Sequence, residues 1–122
     1  MDLSILQQDL ITVAAACLRD PIVVNPERRR NADGTETDAI TVDVSYGTYR
    51  FTTDGITVAV ERDGAEFGPN GTILYTEPVC RGSAIDAITT VLVAITQHNL
   101  YEIAMGEAMA RQIEDDQNMG VY

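Results

Sequence analysis

The chain has no lysine and no tryptophan, a single histidine (His98) and two cysteines, Cys17 and Cys80. Its cations are eight arginines, set against nineteen aspartates and glutamates, for a formal net charge of −11. A protein that grips nucleic acid or an anionic membrane needs a basic face, so direct binding to either is not expected. No apolar run reaches the length of about 18 residues that a membrane-spanning helix requires. Asp2 stands where a secretory leader carries positive charge, and two cysteines are few for a disulfide-stapled secreted domain. Both features point to a cytoplasmic chain with free thiols.

The same shortages narrow the chemistry. One histidine and two distant cysteines do not make a zinc site, so neither a metal nor a cofactor is expected. A nucleophilic Cys80 would need a base, and His98 falls about four turns along the helix that follows it. Asn31, Asp33, Glu36 and Asp38 resemble a calcium loop in composition but lack its terminal glutamate spacing. Without tryptophan there is no strong sugar platform to single out a pair of carboxylates for glycoside hydrolysis. No catalytic residue is assigned, and a non-enzymatic protein is expected.

Hydrophobic residues make up 45% of the 122 positions, enough for one packed domain over residues 1–122. Leu3, Leu6, Leu10, Val13, Ala14, Cys17 and Leu18 recur at three and four, which predicts an amphipathic helix with Asp2 as its cap and Cys17 on the buried side. Asp20-Pro21 ends it, because a residue before proline avoids the α region. Pro21 to Val24 reads as a short extended piece and residues 25–34 as a polar loop. Ile40, Val42, Val44 and Tyr46 alternate with polar residues, as do Tyr49 with Phe51, and Ile56 with Val58 and Val60. Turns are expected at Asp54-Gly55, Asp63-Gly64 and Pro69-Asn70-Gly71, with a last strand over residues 72–76. This is an antiparallel meander with one apolar face.

Residues 83–117 read as helical, as one kinked helix or as two broken near Gln97–Asn99, with an irregular tail over residues 115–122. Ser83 followed by Asp86 resembles a capping box. Ala84, Ala87, Val91, Ala94, His98, Tyr101, Met105 and Ala108 form one stripe, and Ile85, Ile88, Leu92 and Ile95 form a second. The fold class expected is α+β: an N-terminal helix, a four- or five-stranded antiparallel meander, and a long helical region packed on one sheet face. Two adjacent apolar stripes need cover on two sides, so a homo-oligomer is expected, with Ala87, Val91, Ala94, His98, Tyr101 and Met105 at the interface. His98 sits in a polar interruption, Thr96 to Asn99, which reads as a register-setting level of that interface, a solvated segment or a ligand contact.

Two anion-binding candidates stand out. Cys80-Arg81-Gly82-Ser83 lies where a strand meets a helix start, so Arg81, Gly82 and Ser83 could present donors to a phosphate. The run Arg28-Arg29-Arg30 lies in the one stretch that is not acidic. Two binding mechanisms follow. In the first, the acidic surface occupies a basic groove on a host protein, as compact acidic phage or mobile-element inhibitors do. In the second, arginines at subunit junctions hold a small phosphorylated ligand. A virion or assembly subunit is the third reading.

Overall fold

The computed structural model describes residues 2–119, with side chains described through residue 112. Two compact units divide the chain, Met1–Leu92 and Val93–Tyr122. The elements in order are α1 (Leu3–Cys17), β1 (Val23–Arg30), β2 (Glu36–Val44), β3 (Gly47–Thr53), β4 (Val58–Gly68), β5 (Gly71–Gly82) and α2 (Ala84–Met119). The five strands form one antiparallel sheet in the order β1-β2-β3-β4-β5, so the α+β meander read from the sequence is the fold.

Local chemistry explains each connection. The Asp2 carboxylate accepts from the Ser4 N–H at 3.1 Å and starts α1. The β1–β2 connection closes with the Asn31 N–H donating to the Thr35 carbonyl at 2.7 Å. In the β3–β4 turn, the Asp54 carboxylate accepts from the N–H groups of Ile56 (2.8 Å) and Thr57 (2.7 Å). These two bonds hold the Asp54 carboxyl below its ordinary range, the Thr57 N–H contributing most. Gly47, where β3 begins, has φ +150°. A Cβ there would also run into the Asp63 carbonyl oxygen of the neighbouring strand. Gly47→Ala should therefore cost at least about 1–3 kcal/mol of strain, read as a lowered urea midpoint with an unchanged slope. A midpoint within error of the parent would refute this reading of the turn.

The core lies on one sheet face. Its central row runs across the strands through Ile40, Phe51, Val60 and half-buried Cys80, with exposed Pro26 in register at the β1 edge, and a second joins Val24, Val42 and Tyr49. Ile40, Val42, Phe51, Val58 and Val60 are fully or almost fully buried, as are Leu6, Leu10 and Ala14 of α1 and Ala87, Ile88, Val91 and Leu92 of α2.

Five details of the sequence reading are corrected. Residues 25–30 are not loop but belong to β1, an edge strand. Only pairing with β2 could show this, because an edge strand tolerates Pro26 and charged side chains. Asp63-Gly64 is not a turn: β4 runs straight through it, and the ring of Tyr75 covers Gly64, where a Cβ would come within 2.6 Å. Cys17 is exposed. The buried line of α1 steps by four through Leu6, Leu10 and Ala14, which leads to half-buried Leu18 rather than Cys17. Of the two alternatives left open for the helical region, one kinked helix or two, it is one helix, Ala84–Met119. Of the tail, residues 115–119 are helical and 120–122 lie outside the described residues. Lastly, Ala87 and Val91 are core residues and are not available to an interface between copies.

Candidate functional site

The sheet face away from the core is built around Arg50. Its side chain is only 11% exposed, and three carboxylates surround it. Nε donates to Glu27 Oε2 at 2.8 Å and Nη2 to Asp63 Oδ2 at 2.7 Å, while Glu61 stands 3.9 Å from Nη1. Glu27 lies on β1, Arg50 on β3, and Glu61 and Asp63 on β4, so the cluster ties the sheet together across its width. The Asp63 hydrogen bond is the main cause holding the Arg50 guanidinium above its ordinary value. Arg50 in turn holds the Asp63 carboxyl below the usual carboxylate range, with help from the Thr76 hydroxyl at 2.7 Å. These contacts link β1, β3, β4 and β5, so the cluster reads as a structural tie.

A second cluster closes one end of the core face. Arg62 donates to Glu77 Oε1 (2.8 Å from Nε) and the Tyr75 hydroxyl (3.1 Å from Nη2). Its guanidinium stands 5.6 Å from the Tyr46 ring centre and 5.7 Å from that of Tyr75. The Tyr46 and Tyr49 hydroxyls are 2.8 Å apart. Burial first, then that hydrogen bond, pushes the Tyr46 phenol well above its ordinary value.

The anion candidates are dispersed. Arg28 is engaged by Asp38 (3.0 Å) and Glu36 (3.5 Å), while Arg29 and Arg30 are exposed on β1. Arg81 is exposed on β5 and lines a shallow hollow of 180 Å³ with Thr37, Thr52, Thr57 and Asp54. Gly82 faces the Asp86 side chain, and the Ser83 hydroxyl accepts from the Asp86 N–H at 3.1 Å, which makes it the cap of α2. β1 and β5 are the opposite edges of the sheet, so Arg28, Arg29 and Arg30 stand on one edge strand and Arg81 on the other. Among the described residues, no group of three or more His, Cys, Asp or Glu is placed to hold a metal ion. No helix there is long and apolar enough to cross a membrane.

Two apolar surfaces remain uncovered. The first is in α2, where every residue from Leu100 to Gln112 is exposed. Leu100, Tyr101, Ile103, Met105 and Met109 are among them. Ala94 and His98 of the expected interface are half-buried, and His98 Nε2 lies 3.0 Å from Glu102 Oε1. The second surface was not read from the sequence. Pairing of β3 with β4 stops at Asp63, and beyond it β4 and β5 continue alone as a two-stranded ribbon, from Gly64↔Tyr75 to Gly68↔Gly71. Phe67 is 90% exposed, Leu74 81% and Ile73 61%. The available signal was an uncharged run from Phe67 to Thr76 in a strongly acidic chain; reading Asp63-Gly64 as a turn concealed it. No protein-family model matches this chain, and neither a curated protein nor a solved structure matches it.

Proposed function

We propose that this chain is a non-enzymatic binding protein whose exposed stretch of α2 docks into an apolar groove on a basic protein. One observation carries the reading: from Leu100 to Gln112 the helix is exposed throughout, yet it presents five large apolar side chains. Helix length alone does not stabilise such a segment in water, and a helix-in-groove contact would cover it. Charge selects the partner. Between Val93 and Met119 the sequence has five carboxylates (Glu102, Glu107, Glu114, Asp115 and Asp116) against Arg111 alone. A groove rimmed with Lys or Arg complements that helix, and a second acidic helix does not.

Self-association through the same face is the second reading. It is favoured by the spacing of Ala94, His98, Tyr101, Met105 and Ala108, which alternates four and three as a coiled-coil seam does. A photo-crosslinking residue at Met105, used in extract of the source cells, separates the two. The expected product is a crosslink to a basic protein which, once purified, binds the parent chain and loses about tenfold or more in affinity to Tyr101→Ser, a loss of at least about 1.4 kcal/mol. Binding should also weaken as salt rises. A crosslink between two copies of this chain would replace the first reading with the second, and no crosslink at all would overturn both.

A further inference from the structure

We infer that the β4–β5 ribbon is a self-association surface, on which β5 pairs edge to edge with β5 of a second copy. β5 is an outer strand, so among the described residues one row of its N–H and C=O groups has no neighbouring strand to pair with. An exposed edge with apolar, β-branched side chains is a template for another strand, and proteins that leave such edges free usually blunt them with charge or proline. β1, the opposite edge, is blunted in this way by Pro26 and by Arg28, Arg29 and Arg30. The β5 edge of the ribbon is not: no residue from Gly71 to Thr76 is charged, Glu66 lies on the inner strand β4, and Glu77 and Pro78 come only at the base.

Charge names the occupant. Two chains of net charge −11 repel almost everywhere, but the ribbon carries one charge, Glu66 on its inner strand β4, and the β5 edge from Gly71 to Thr76 has none, so two copies can pair along that edge without like charges facing one another across the seam. The protection of β1 disfavours head-to-tail pairing of β5 with β1, which would propagate into filaments, and leaves the closed two-fold arrangement. With the two-fold axis at Leu74, the leucines of the two copies stand opposite one another, and Ile73 stands opposite Tyr75. Ala65, Phe67 and Leu74 share one face of the ribbon, since Ala65 pairs with Leu74 and Phe67 with Thr72. That face would continue across the axis as one apolar strip. A two-stranded ribbon is marginal alone in water, and pairing turns it into the centre of a four-stranded one.

Sedimentation velocity of the full chain at micromolar concentration tests this, with a dimer expected. Leu74→Glu and Ile73→Lys each place like charges close to the axis and should weaken dimerisation roughly tenfold or more. Their near-UV circular dichroism should stay that of the parent, because both positions are exposed. Leu74→Cys, in a background of Cys17→Ser and Cys80→Ser, should form an interchain disulfide under mild oxidation, since directly opposed residues fall within bridging distance. A parent chain that is monomeric, or a dimer that survives both charged variants, would overturn the proposal. So would a dimer lost with Tyr101→Asp and kept with Leu74→Glu, which instead supports self-association through α2.

Discussion

Val91→Asp should leave no folded protein at 25 °C. Val91 is 0% exposed and lies among the core side chains that α2 adds to the first compact unit. Aspartate there removes a buried apolar side chain and places a carboxyl in the hydrophobic core. An unpaired charge in such a site costs several kcal/mol, and lost packing adds to it, against a total stability of about 5–15 kcal/mol for a domain of this kind. The expected result is loss of near-UV dichroism and collapse of amide proton dispersion. Tyr101→Asp, on the same sequence stripe but 63% exposed, should leave both signals intact. A cooperative melt of Val91→Asp near the parent temperature would show that this part of α2 is not core.

Arg50→Ala should be the most damaging substitution on the polar sheet face. It leaves Glu27, Glu61 and Asp63 facing one another without the cation that they share. The carboxylates keep partial access to water, so the cost falls below that of a fully buried pair, at about 2 kcal/mol. For a domain of this size that is a fall of roughly 8–15 °C in melting temperature. The pH dependence gives the diagnostic. Arg50 depresses the folded-state pKa of Asp63, so this interaction stabilises the fold above the carboxyl's unfolded value near 3.8 and is lost as pH falls through the lower folded value. The gap between parent and variant should be widest near neutral pH and narrow below about pH 4 as the carboxyls take up protons. A gap independent of pH would mean that Arg50 acts through packing of its methylene stem alone.

The sequence by itself determined the class of fold. Alternation at Ile40, Val42 and Val44 and at Val58 and Val60 needs only a period of two, and the α1 repeat needs only a period near 3.6. Asp2, Asp54 and Ser83 act through bonds to residues two or three positions away, so their capping and turn roles were legible from spacing. Ser83 was therefore read correctly as a helix cap.

Tertiary structure decided what depends on partners distant in the chain. β1 becomes a strand because β2 lies beside it, and Arg28 is engaged by Asp38 ten residues away. Arg50 gathers carboxylates from 23 residues before it and 13 after it, a convergence that no spacing rule encodes. The stripes of α2 look alike along their length, yet Val91 is buried in the core and Tyr101 is 63% exposed. Asp63-Gly64 has a turn's composition, yet the glycine serves the Tyr75 ring on the neighbouring strand, and that contact keeps β4 running on into an exposed ribbon. Backbone preference acts between neighbours in sequence, whereas burial is set by whatever the folded chain brings alongside.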